Sequence, residues 1–147
     1  MQNTPFVLRD ASFEDAERLS DLARQLGYPV EREEVARRLA KYSGNPNERV
    51  IVAVKDGKVI GWTSAGIVDH FYTPVHVEIS GLVVDSSSRG SGAGKSLMDE
   101  VKRWTVEKGL ASLRLRANVI RKDAHRFYER EGFKRRKEQV MFEWTFD

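Results

Sequence analysis

The sequence predicts an α/β fold: a mixed, mostly antiparallel sheet with a central parallel β-α-β unit and helices on both faces. Three observations predict it. Two helical patterns follow a short first strand near the N-terminus. A hairpin signal, Asp56-Gly57, separates two β-branched runs. A strand–helix–strand succession from Val75 to Ala117 has to be a right-handed crossover between parallel strands.

Each element has its own justification. Phe6–Arg9 is a short strand. Ser12 is an N-cap, with Asp15 as its capping-box partner. Phe13, Ala16, Leu19, Ala23 and Leu26 then recur at helical spacing until Gly27 and Pro29 stop the helix. A second helix, from about Glu31 to Tyr42, puts Val35, Leu39 and Tyr42 on one face and its Glu and Arg residues on the other. Ser43-Gly44-Asn45-Pro46 is a turn. Val50–Val54 and Val59–Val68 are the hairpin strands, Asp69–Pro74 is a loop, and Val75–Val84 is a further strand. Gly92–Lys108 carries a helix with Leu97, Val101, Trp104 and Val106 mostly at helical spacing, stopped by Gly109. Leu113, Leu115 and Ala117 alternate with Arg114 and Arg116, a strand pattern. Asp123–Glu131 is a short helix ended by Gly132. Phe133 to Phe146 is strand-like, with a break near Lys137–Gln139. There Val140, Phe142, Trp144 and Phe146 make one apolar stripe, expected in the core, with a homodimer face as its other use.

Composition narrows the function. A length of 147 residues suits one domain over 1–147. Charged residues at 32% and apolar residues at 40% exclude low-hydrophobicity disorder. The net charge of +3 is too balanced to call for nucleic acid. No apolar run reaches the ~20 residues of a membrane span, and the N-terminus shows no signal-peptide pattern. A cytoplasmic protein with no membrane partner is expected. Cysteine is absent, so no disulfide or thiolate site can form. His70 and His125 lack metal-ligand spacing, and no metal is expected.

The most informative stretch is Val83-Val84-Asp85-Ser86-Ser87-Ser88-Arg89-Gly90-Ser91-Gly92-Ala93-Gly94-Lys95-Ser96-Leu97. It leaves a strand and opens a helix. Such a turn aims backbone N–H groups and the positive helix end at an anion, and a phosphate is the one expected. The P-loop pattern needs its first glycine where Arg89 stands, so it fails by one residue. The dinucleotide pattern G-x-G-x-x-G meets Lys95 or Leu97 where it needs a small residue. A third pattern, [Arg/Gln]-x-x-Gly-x-[Gly/Ala], fits Arg89-Gly90-Ser91-Gly92-Ala93-Gly94 without a slip.

That third pattern is the acetyl-coenzyme A signature of the GCN5-related N-acetyltransferase (GNAT) superfamily, which the chain resembles. Asn118, followed by Ala124-His125-Arg126-Phe127-Tyr128-Glu129-Arg130-Glu131-Gly132-Phe133, is similar to the second motif of the superfamily. A weaker similarity, around His76–Arg89 and Glu138–Phe142, is to the aminoglycoside 6′-N-acetyltransferase branch. The resemblance implies acetyl transfer from acetyl-CoA, as cosubstrate, directly to an amine-bearing acceptor. It also implies a splay between the two parallel strands, filled by pantetheine. Leu82, Val83 and Val84 would contribute backbone there, and Asn118 would bond a pantetheine amide. Arg89, Gly90, Ser91, Gly92, Ala93, Gly94 and Lys95 would hold the pyrophosphate. Arg121, Lys122 and Arg126 are candidates for the ribose phosphate, though ordinary surface charge also accounts for them.

Transfer needs a neutral amine, and a free amine has a pKa of ~10.4, so a base must take its proton. His76, Glu78 and Ser80 share one strand face, and Gly81 interrupts the alternation as a bulge does. Glu78 is the first choice for base and His76 the second, although a solvated strand face explains a glutamate equally well. Tyr128, on the Phe-Tyr pair of the second motif, is the candidate general acid and a cofactor contact. Tyr28, Asp69, Tyr72 and Glu78 are candidate acceptor walls, and the two carboxylates would favour a cationic amine. Two rivals remain: a CoA-binding regulatory or partner-binding module without turnover, and a user of another acyl-CoA or an O-acceptor. A nucleotide phosphate binder is disfavoured by the failed loop spacing.

Overall fold

The computed structural model describes residues 6–117 and 119–147. Asn118 therefore lies outside the described residues. The chain forms two compact units, one ending at Arg116 and one running from Ala117 to Asp147.

The first unit begins with β1 (Phe6–Asp10), α1 (Ala16–Leu26) and α2 (Arg32–Tyr42). A 3-10 turn, Phe13–Asp15, leads into α1. Here the Ser12 N–H donates to Asp15 Oδ2 at 2.7 Å, one half of the capping box its sequence announces. Gly27, at φ 100°, ends α1 in the left-handed region. β2 (Glu48–Lys55) and β3 (Lys58–Val68) form the hairpin. Its turn residues Asp56 and Gly57 have φ 52° and 76°, as a two-residue turn with both central residues left-handed requires. β4 (His76–Val84), α3 (Ala93–Glu107) and β5 (Leu113–Leu115) complete the unit.

The five strands lie in the order β1-β2-β3-β4-β5. Every pair is antiparallel except β4–β5, which is parallel. The predicted mixed sheet and central β-α-β unit are thus observed. Val52, Val59 and Val83 pack with Leu19 and Leu22 of α1. Alternate sheet residues, among them Ile51, Ala53, Ala65, Val77 and Ile79, are also buried, and α3 packs against β3 and β4. Leu22 and Leu97 are fully buried, a contribution of about 1.5–3 kcal/mol each.

The second unit holds α4 (Lys122–Arg130), closed by Gly132 at φ 96°. Residues 133–147 carry no regular secondary structure. Val140, Phe142, Trp144 and Phe146 are 76–89% exposed, and Trp144 stacks on Phe146 with ring centroids 5.7 Å apart. The strand and the core burial expected of this stripe are therefore not found. Alternation gives a segment an apolar face, but a strand exists only where a second strand takes its N–H and C=O groups.

Candidate functional site

The site begins where two parallel strands part. β4 and β5 pair only from Val77–Leu113 to Ile79–Leu115. Just beyond, the β3–β4 register slips: Ala65 faces Ile79, but Ser64 faces Gly81, so Ser80 is an inserted residue. This is the bulge that the glycine in the strand predicts. A Cβ on Gly81 would lie 2.9 Å from Trp62 Cζ3, so the indole of β3 fits against β4 only where β4 has no side chain. Past the bulge, Leu82, Val83 and Val84 pair with β3 on one side. Among the described residues, no strand pairs with their other edge.

That edge runs into the glycine turn. Asp85 caps a 3-10 turn, Ser86–Ser88, by accepting from the Ser87 N–H at 3.2 Å. Two α1 residues clamp the same point. Arg18 donates to Asp85 Oδ2, and Gln25 accepts from the Ser86 N–H at 3.0 Å while its amide nitrogen lies 3.4 Å from Asp85 Oδ1. The Ser87 amide, with Arg18 and Gln25 and against the effect of burial, lowers the Asp85 carboxyl from 3.8 to about 2. Asp85, Arg18 and Gln25 are absent from the sequence-based site. An Asp after a strand and before serines is a capping signal that could have revealed Asp85; nothing local marks Arg18 or Gln25.

Gly90 and Gly92 follow at φ 83° and 92°. A Cβ at either position would meet nothing within 4 Å. The glycines are thus required by backbone angle, and the space a side chain would fill is open to a ligand. Ala93, 1% exposed, anchors the start of α3, and Ser91 Oγ accepts its N–H at 3.3 Å. The helical ladder starts with the Ser96 N–H on the Gly92 carbonyl, 3.0 Å. The N–H groups before it belong to the turn that has no intrahelical acceptor. Arg89 is exposed, and Lys95 Nζ sits 3.4 Å from Asp99. Open edge, left-handed glycines and helix N-terminus fit a long ligand with an anionic diphosphate.

Glu78 lies at the bulge end of the paired stretch. Arg116 donates to its Oε2, and Oε1 is 3.7 Å from His76 Nε2. His76 is 3% exposed, and its Nδ1 lies 3.0 Å from the Pro74 carbonyl. A carbonyl only accepts, so Nδ1 carries a hydrogen. Glu78 borders a cleft of about 210 Å³ with Tyr42, Glu48, Ser64, Gly66 and Ser80. Tyr28, Asp69 and Tyr72 are exposed and do not line this cleft. A broader depression of about 900 Å³, between Phe13, Leu39, Arg49 and Trp104, contains none of the predicted catalytic or cofactor residues.

In the second unit Tyr128 is half-buried. Its ring meets those of Phe127 and Phe133 edge to face, with centroids 5.4 and 6.1 Å away. Burial raises its phenol above the ordinary value, against the opposing charge of Arg121. Arg126 pairs with Asp123.

Comparison with known proteins extends this picture. Residues 15–133 match the acetyltransferase (GNAT) family. The chain is 32% identical, over 133 residues, to the aminoalkylphosphonate N-acetyltransferase of Salmonella typhimurium, covering 86% of this chain and 84% of that one. Among solved structures, it superimposes on a transcriptional regulator from Bacillus halodurans with a TM-score of 0.84 at 22% identity, covering 95% of this chain and 99% of that chain. It also superimposes on the aminoglycoside N-acetyltransferase AAC(6′)-Iy in complex with CoA, with a TM-score of 0.84 at 19% identity and 97% of both chains. At such identities the two superpositions concern the fold alone.

Proposed function

The chain belongs to the GNAT family of acetyl-CoA-dependent N-acetyltransferases, and from that premise we propose that it moves the acetyl group directly to a primary amine of a small molecule or peptide. One observation carries the proposal. The unpaired edge of Leu82–Val84 leads, through the Asp85-capped 3-10 turn, to Gly90, Gly92 and the N-terminus of α3. A ligand built as an extended arm ending in a diphosphate suits that path: its amides can add to the strand edge, and its phosphates can meet backbone N–H groups. In this proposal Leu82, Val83 and Val84 hold the arm, Arg89 through Lys95 hold the phosphates, and Asn118 bonds an arm amide, as the family motif implies.

When bound, acetyl-CoA supplies a thioester, so that the amine nitrogen gains a bond to the carbonyl carbon as the carbon–sulfur bond breaks. Glu78 takes the amine proton on Oε1, because Oε2 is engaged by Arg116. His76 is too buried to touch an acceptor, which leaves the base role to Glu78. The Tyr128 hydroxyl, kept protonated by burial, holds the proton that the leaving sulfur needs. With no cysteine in the chain, the acetyl group passes in one step rather than through a protein thioester.

Calorimetry and amine-dependent thiol release test the proposal together. The expected result is heat with acetyl-CoA but none with ATP, and thiol release that depends on added amine. Binding without turnover over a broad amine panel would leave only a CoA-binding regulatory module. Glu78→Gln should lower kcat/KM by about 10²–10⁴-fold with acetyl-CoA affinity retained. An unchanged pH–rate profile in that variant would remove Glu78 from the base role.

A further inference from the structure

Four adjacent strands present one row of residues on one sheet face. Glu48 of β2 is directly opposite Gly66 of β3, Gly66 is directly opposite Glu78 of β4, and Glu78 is directly opposite Arg114 of β5. Directly paired residues share a face, so the two carboxylates stand on either side of a residue with no side chain. Their backbones are two strand spacings apart, about 10 Å. The gap is the floor of the cleft of about 210 Å³ that Tyr42, Ser64 and Ser80 also border.

The two carboxylates are not equivalent. Glu78 is flanked by cations, with Arg116 on its Oε2 and Arg114 beside it in the row. Glu48 has Asn45 Nδ2 on Oε2 at 3.1 Å, and among the described residues no ion pair is found for it. Its carboxylate leans over the glycine: a Cβ on Gly66 would lie 3.3 Å from Glu48 Oε1 and 3.4 Å from its Cγ. The carboxylate without a cation therefore sits at the Glu48 end, away from the proposed base.

We infer that the acceptor carries two amino groups, one reacting beside Glu78 and the other held as an ammonium by Glu48, which makes Glu48 a specificity-determining residue. The inference rests on the amine-transfer reading above. The reacting nitrogen is deprotonated at Glu78, while the second stays charged and finds an uncompensated carboxylate across the glycine floor. An amine with an anionic far end, such as an aminoalkylphosphonate, would bring that charge against Glu48 and is disfavoured.

The test compares kcat/KM for 1,4-diaminobutane, n-butylamine and 3-aminopropylphosphonate in the wild type, Glu48→Gln and Gly66→Ala. The diamine should exceed the monoamine by roughly tenfold, the worth of one charge-assisted bond, against a statistical factor of two for its paired nitrogens. In Glu48→Gln the ratio should fall to about that statistical factor. In Gly66→Ala it should fall in the same direction. A wild-type ratio near two, a ratio that survives Glu48→Gln, or a preference for the phosphonate overturns this inference alone. No acetylation of any of the three amines, while another amine of the broad panel is acetylated, also overturns this inference alone; no acetylation across that panel, with acetyl-CoA binding intact, overturns the amine-transfer reading with it.

Discussion

Asp85→Asn probes how the phosphate turn is held. Asparagine keeps the shape of the side chain and an oxygen for the Ser87 N–H, but it removes the charge that faces Arg18. In the folded protein this carboxyl is lowered from 3.8 to about 2, and the residue is 8% exposed. The difference corresponds to about 2 kcal/mol of stability at neutral pH. The sign follows from the direction of the shift. The folded pKa is depressed, so the stabilisation is present in full above 3.8 and is lost as pH falls through about 2. About half remains at pH 3. For a chain of this length, about 2 kcal/mol lowers Tm by ~4–8 °C. Thermal unfolding of wild type and variant, followed by circular dichroism at pH 7, 5, 4 and 3, should show a gap that is constant from pH 7 to 5 and narrows below 4. Comparing the two proteins cancels the acid titration of other carboxylates such as Glu100, also held at about 2. Because Asp85 fixes where the turn begins, the KM for acetyl-CoA should also rise several-fold. Equal Tm values at pH 7 would refute the latch, and a gap independent of pH would assign the effect to packing rather than charge.

Other outcomes follow from the same geometry. Tyr128→Phe should lower kcat by about 10²–10⁴-fold while calorimetric acetyl-CoA affinity stays unchanged; equal turnover would exclude the phenol as proton donor. Burial raises this phenol, so the wild type should show no alkaline loss from Tyr128 until above pH 10, its ordinary value. Gly81→Ala puts a methyl 2.9 Å from a rigid indole carbon and should destabilise the fold by ~1–3 kcal/mol. Pairing it with Trp62→Leu should restore part of that loss in a urea titration; an additive double variant would show that the indole is not what demands glycine here.

Much of the site could be read along the chain because its signals are local. A glycine forced to positive φ, an N-cap and a change from period-2 to period-3.6 spacing are properties of neighbouring residues. Gly90, Gly92, Ser12 and the Asp56-Gly57 turn were therefore legible, as was the bulge at Gly81. Glu78 was legible only as a residue on a strand face. Its partner Arg116 and its row neighbour Glu48 lie 38 and 30 positions away, and nothing near Glu78 in sequence names them. The tail from 133 to 147 shows the opposite failure, since its alternation is plain but no paired strand results.

The sequence by itself determined the order of the elements as far as α4, the strand-to-helix glycine turn and the family to which they belong, because backbone conformation and hydrophobic period are set within a few residues. Only the tertiary structure decided which side chains face one another. Strand register brought Glu48, Gly66 and Glu78 into one row, and helix packing carried Arg18 to Asp85 across 67 positions. Such contacts depend on where separate elements come to rest, a balance of burial and pairing summed over the whole sheet, and no short stretch of chain encodes that sum.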